Sequence, residues 1–266
     1  MIFVTGDTHG EFNRFNAKSF PIQSDLCKYD CVIICGDFGG VWNYSGETDE
    51  EKYWLDWLDG KNFTTLFCDG NHENFVRLNE YPVKEWHGGL VHEIRPSVLH
   101  LMRGEMFDIG GKKVFAFGGA RSHDIKGMAS YEELKADYSA GVLRPDAPDY
   151  TEKKRYCEKN FIFAREENIS WWAAEDPSDE EMQHGLDTLE KNQWKCDYVI
   201  THDAPSQVLR LHYIDGLRPN PLNKYFDLIW NKLQYEKWFF GHHHEDRRIT
   251  VKDYLMYYDI RLADDY

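Results

Sequence analysis

Five short apolar runs in this chain each end at a residue with a nitrogen or oxygen donor. They are "IFVTGD" (2–7), "CVIICGD" (31–37), "TTLFCDGNH" (64–72), "DYVITHDAP" (197–205) and "KWFFGHHH" (237–244). Each run is continuous rather than alternating, the pattern of a strand buried on both faces in a layered α/β protein. In open α/β sheets, ligands gather beyond the carboxyl ends of strands. The pattern therefore predicts one rim carrying Asp7, His9, Asp37, Asn71, His72, His202, His242 and His244. Gly6, Gly36, Gly70 and Gly241 directly precede the first donor of four runs, where a sharp turn and a close backbone approach are needed. Asp7-x-His9 and His242-x-His244 have the strand period of two, which points paired side chains one way and leaves His243 facing elsewhere.

Helical patterns separate the runs. Residues 49–60 open with acids, place Trp54 and Leu58 one turn apart and end at Gly60. Residues 178–192 begin with Ser178 and carry Glu181 three positions on, a capping box, followed by a Met182, Leu186, Leu189 stripe. Residues 223–233 repeat that spacing with Phe226, Ile229 and Leu233. Between 91 and 119 the pattern changes to consecutive strands, with Gly110-Gly111 as a hairpin turn. Residues 122–176, rich in charge and aromatics, read as a mostly helical insertion on a single domain of 1–266. That insertion is the candidate for substrate selection. Trp171 and Trp172 either roof the site or pack against the outer helices.

Forty-six acidic against 31 basic residues leave a net charge of −15. Such a surface disfavours extended nucleic-acid contact, although bound cations can invert the local field. No run approaches the roughly 20 apolar residues of a spanning helix, and the N-terminus lacks a signal-peptide pattern, so the expectation is a cytoplasmic protein without membrane contact. The six cysteines form no C-x-x-C pair and read as small buried hydrophobes. Nothing in the chain calls for an obligate protein partner.

Any one of these histidines alone is more often a packed or solvated side chain than a ligand. Together, seven mixed carboxylate, amide and imidazole donors are too many for one transition ion and suit two that share a carboxylate. A donor set without thiolate favours Mn, with Fe, Zn, Ni or Co as alternatives. Two such ions can hold a hydroxide between them and both oxygens of a phosphoryl displacement.

In their order, "GDTHG", "GDFGG", "GNHE", "THDAP" and "GHHH" resemble the five motifs of the calcineurin-like metallophosphoesterases, spread over residues 5–244. The resemblance implies a four-layer α/β/β/α sandwich. It implies one metal held by Asp7, His9, Asp37 and His244, and a second by Asp37, Asn71, His202 and His242. It also gives His72 the catalytic role of assisting the leaving oxygen, and implies hydrolysis of a small or medium phosphate monoester or diester by a metal-bridging hydroxide. Two departures stand out. Many members carry an aspartate that orients the catalytic histidine where this chain has Gly40. The arginine that follows it in phosphoprotein phosphatases is also missing, which argues against that activity. Arg121 in "GGARSHD" is a candidate for contacting substrate phosphate or else a salt-bridged surface residue, and His123 beside it approaches the same rim. Asp203, Glu245 and Asp246 adjoin ligands and either fix ring tautomers or are solvated in loops. The other readings are a nuclease acting on short or single-stranded ends and a non-catalytic scaffold of the same fold.

Overall fold

A computed structural model describes residues 1–122, 141–212 and 219–265. His123 and much of the front of the 122–176 segment lie outside the described residues. The five apolar runs form β1 (Ile2–Thr5), β2 (Cys31–Cys35), β3 (Thr64–Cys68), β11 (Tyr198–Thr201) and β12 (Lys237–Phe240), all of them fully buried. In each case the strand stops before the polar residues.

These strands do not share one sheet. Strands β1, β2 and β3 run parallel in a seven-stranded sheet that continues through β6 (Val98–Leu101), β5 (Gly89–Arg95) and β4 (Val83–Trp86) and is edged by β15 (Arg261–Leu262). The second sheet has six strands in the order β13 (Arg247–Arg248), β14 (Asp253–Leu255), β12, β11, β8 (Lys112–Phe117) and β7 (Glu105–Ile109). The single rim expected from the sequence is thus a junction of two sheets. The antiparallel patch of 91–119 is split between them, because the chain crosses over after Leu101. The β7–β8 hairpin turns at Gly110 and Gly111, with φ of 59° and 81°, where glycine carries no Cβ penalty.

Three apolar clusters define four layers. Ile33, Leu66 and Val91 of the first sheet meet Val114, Ile200 and Phe239 of the second in the central one. Outside the first sheet, Val32, Ile34 and Phe67 pack with Leu55 and Leu58 of the helix Asp49–Asp59. Outside the second, Phe115, Val199 and Trp238 pack with Leu189 of the helix Asp179–Lys191 and with Phe226 and Ile229 of the helix Pro221–Lys232. The fold is therefore an α/β/β/α sandwich. Sandwiching each sheet between two apolar layers is why the strand sequences do not alternate. The expected capping box at Ser178 is present, and Thr48 with Glu51 forms another.

The described part of 122–176 is less helical than its composition suggests. It holds one helix (Tyr150–Asn160), and β9 (Val142–Leu143) pairs with β10 (Arg165–Glu166) in a two-stranded ribbon over a small cluster of Leu143, Cys157 and Ile162. All six cysteines are free, and all but Cys27 are buried. Among the described residues no helix is long and apolar enough to cross a membrane.

Candidate metal centre

The loops beyond β1, β2, β3, β11 and β12 converge. One donor atom from each of Asp7, His9, Asp37 and His244 lies within 4.8 Å of every other, and the two carboxylates are buried. Nε2 of His9 and Nε2 of His244 are 3.1 Å apart, and His244 Nε2 is 3.1 Å from an Asp7 oxygen. On the other side of Asp37, His202 Nε2 lies 3.3 Å from Asp37 Oδ1 and 3.2 Å from Asn71 Oδ1. The His242 ring stands 4.9 Å from that of His202, and its backbone N–H donates to Asp7 at 3.1 Å. Every residue of the sequence-derived set thus reaches one locality, with Asp37 between two groups of donors. Carboxylate, amide and imidazole donors at these separations suit divalent transition ions.

The local backbone differs from the strand period expected for Asp7-x-His9 and His242-x-His244. These residues lie past the strand ends, and His9, Asp37, His242 and His244 all adopt left-handed conformations, with φ of 47°, 47°, 69° and 50°. Such conformations cost about 1 kcal/mol or more per non-glycine residue and concentrate at functional sites. Two preceding glycines matter for space. A Cβ on Gly70 would sit 2.1 Å from Asp37 Oδ1, and one on Gly241 2.2 Å from Asp7 Oδ1. Buried Arg14, which the sequence reading passed over, clamps the first loop by donating to the carbonyl of Asp7 at 2.8 Å.

The carboxylates and imidazoles of the cluster shift one another's ionisation. Burial alone would lower the His202 imidazole, but the Asp37 and Asp7 carboxylates overcome it and raise its pKa to about 10. Burial likewise opposes ionisation of Asp37, yet His202, His72 and His9 hold its carboxyl far below the usual range. Burial lowers both His9 and His72, with the Asp37 carboxylate pulling each the other way.

His72 donates its backbone N–H to Asp37 Oδ1 at 2.8 Å. Its ring is flanked by Trp42 at 5.5 Å and, edge-on, by His9 at 5.0 Å. A side chain at position 40 would require the Phe38 ring to move. A Cβ there would lie 2.4 Å from the Phe38 ring, which is itself stacked on Phe67 at 4.1 Å. Aromatic packing thus stands beside His72 where many relatives have a carboxylate. Buried Trp172 meets Trp42 edge-on at 5.2 Å and belongs to neither outer helical cluster, so it sits over this side of the site.

A buried chain supports Asn71. Its Nδ2 donates to Ser122 Oγ at 3.2 Å, and Ser122 in turn bonds both Glu175 oxygens, through N–H at 2.8 Å and Oγ at 2.6 Å. This leaves Asn71 Oδ1 aimed toward Asp37 and His202. Burial pushes the Glu175 carboxyl up to about 7. A raised acid favours the folded state below its unfolded pKa and loses that contribution as pH climbs to the folded value. The apoprotein should therefore lose up to roughly 3 kcal/mol between about pH 4.5 and 7 through this one group. Glu175→Gln should flatten that part of a melting-temperature profile against pH, and an unchanged slope would refute the assignment.

The remaining sequence candidates separate clearly. Arg121 is half-exposed and donates to Asp176 at 2.6 Å. Arg165 is the cation near enough to lower His72, a role the sequence did not signal. Asp203 faces the bystander His243 and accepts from Asn223 at 2.8 Å, while Asp246 receives the N–H groups of Tyr257, Tyr258 and Asp259. Glu245 lies against His212 and Arg247.

A sandwich of two sheets with a carboxylate–imidazole cluster at their shared end is the architecture of metal-dependent phosphoesterases. The chain belongs to the calcineurin-like phosphoesterase family, whose pattern it matches over residues 1–246. It is similar to the lariat debranching enzyme of Schizosaccharomyces pombe, 26% identical over 146 residues, which cover 51% of this chain and 29% of that protein. The lariat debranching enzyme of Danio rerio is 27% identical over 141 residues, 47% of this chain and 23% of its own length. The chain thus spans less than a third of the curated relatives it matches.

Proposed function

We propose that this protein hydrolyses phosphate esters, monoesters or diesters of small or medium size, at two divalent metal ions. The observation that carries this reading is the convergence of Asp7, His9, Asp37 and His244 in a calcineurin-like fold, with Asn71 and His202 on the far side of Asp37. Asp7, His9, Asp37 and His244 would hold one ion, and Asp37, Asn71, His202 and His242 the other, with manganese the first metal to try. Such ions supply Lewis acidity and lower the pKa of water toward neutrality.

The chain's own part is positioning and proton transfer. Asp37 orders the site by accepting the His72 N–H while facing both donor groups. His72, flanked by Trp42 and His9, delivers a proton to the departing oxygen or steadies charge there. Arg165 adds positive field on the same side. His9 and His244 are partly exposed, with side chains 31% and 51% accessible, so substrate enters over them.

His72→Ala should lower turnover of bis(p-nitrophenyl) phosphate by about 10²–10⁴-fold, the usual share of a general acid, while metal content stays unchanged. Parallel loss of bound metal would make His72 a structural neighbour of Asn71 instead. Similarity to two lariat debranching enzymes supports a second reading, in which the ester lies within a nucleic-acid strand or end. Oligonucleotide binding that weakens with added salt would favour it. Metal analysis after manganese supplementation tests both readings against a non-catalytic scaffold.

A further inference from the structure

Next to the candidate metal centre, and sharing His9 with it, is an open cavity of about 360 Å³. Gly10, Gly39 and Gly40 line it, and the half-buried rings of Trp42 and Trp54 supply aromatic walls, with buried Phe12 packed behind Trp54. Phe12 and Trp54 touch each other at 6.1 Å, and Trp42 is the ring that flanks His72. The wall between them is rigid. Glu51 accepts the N–H groups of Trp42 and Asn43 at 2.7 and 2.8 Å and that of Thr48 at 2.9 Å, and it binds Arg77 through both oxygens.

The lining carries carboxylates and no cation. Glu11 and Glu50 are exposed on it, and none of the described lining residues is Lys or Arg. A second phosphate group is therefore repelled there. Because Glu51 is already saturated, Glu11 and Glu50 are the carboxylates left for an incoming hydrogen-bond donor. The volume lies near the lower end of the ~300–1,000 Å³ usual for small-molecule sites, which leaves room for one nucleoside and not for an oligomer. Aromatic walls take the face of a base, and carboxylates accept from exocyclic amino groups.

We propose that this cavity binds an amino-bearing nucleobase of the ester whose phosphate lies at the metal centre, so that the preferred substrate is a nucleotide ester. This rests on the phosphoesterase reading, and the test separates the two. With manganese present, kcat/KM is measured for the p-nitrophenyl esters of adenosine and thymidine 5′-phosphates, for bis(p-nitrophenyl) phosphate and for p-nitrophenyl phosphorylcholine. The adenosine ester should exceed the bis ester by about ten-fold or more, the scale of one base–aromatic stack. Trp54→Ala should bring that ratio near unity, and Glu50→Gln should narrow the gap between adenosine and thymidine esters. Equal rates for all esters, or a preference for the phosphorylcholine ester through cation–π contact, overturn the proposal. Binding of adenosine itself, read by quenching of tryptophan fluorescence, needs no turnover. Adenosine binding without ester hydrolysis would sink the phosphoesterase reading and keep the cavity assignment, whereas hydrolysis without adenosine binding at millimolar concentration would do the reverse.

Discussion

Replacing Asp37 by asparagine is expected to abolish the metal-dependent activity, with turnover falling at least about 10²–10³-fold, the loss that follows removal of one preorganised electrostatic group. Asparagine keeps the shape and an oxygen to accept the His72 N–H, so the fold should survive. What disappears is a carboxylate charge that faces both donor groups, 3.3 Å from His202 on one side and 3.7 Å from His9 on the other. Metal content per chain should fall with it. The wild-type apoprotein carries a second signature. His202, raised to about 10 by Asp37 and Asp7 against the effect of its burial, is protonated at pH 7 and must lose that proton to serve as a ligand. Metal titration calorimetry in two buffers of different ionisation enthalpy should show close to one proton released from this group, and less in Asp37→Asn, where the main raising charge is gone. The same shift makes the apoprotein less stable as pH rises from about 6.5 toward 10, since a raised base gives up its contribution over that window. Equal heats in both buffers, or an active Asp37→Asn protein, would remove the metal-centre assignment.

Much of this site was legible because the ligands follow strands whose sequences are unmistakable. "CVIIC" and "KWFF" suit strands buried on both faces, which they form, and the donors come next in the chain. What the pattern could not carry is how the strands are shared out. Continuous apolar runs look alike whichever sheet they join, so one rim was expected where two sheets meet. Nor does spacing encode backbone handedness. His9 and His244 face each other through left-handed loop residues, not through a strand's alternation. The supports were hidden for a different reason. Arg14, Ser122 and Glu175 are ordinary polar residues outside the five ligand motifs, and only the tertiary structure buries Arg14 against Asp7 and the Ser122–Glu175 pair against Asn71. Gly40 was visible as a departure, but its cause is Phe38, two residues away, whose ring fills the space a side chain would need.

The largest loss of stability should come from Arg103→Met, a residue outside every motif. Its guanidinium is buried and donates to Asp69 at 2.6 and 2.9 Å, to Glu181 at 3.1 Å and to the carbonyl of Ala174 at 2.8 Å. It thereby ties the end of β3 in the first sheet to the helix Asp179–Lys191 outside the second. Asp69 also meets His100 Nε2 at 3.0 Å, and His100 stacks on His92. Burial raises the cost of charge on Asp69, but Arg103 and His100 outweigh it and hold the carboxyl far below its usual range. Methionine keeps roughly the aliphatic stem and removes the guanidinium, leaving the buried Asp69 carboxylate with His100 alone, and breaking a buried pair in this way typically costs about 3–5 kcal/mol. Denaturant unfolding would measure it. The double variant Arg103→Met, Asp69→Asn should recover a large part of that loss, because the stranded charge goes too. Because the Asp69 pKa is depressed, its contribution is present above the unfolded carboxyl value near 3.8 and fades as pH falls below it, so wild type and Arg103→Met should converge in stability at low pH. Asp69 lies two residues before Asn71, so under the proposed ligand assignment the single variant should also bind less metal. A single variant as stable as wild type, or a double variant no better than the single, would mean that this buried pair does not hold the two sheets in register around the site.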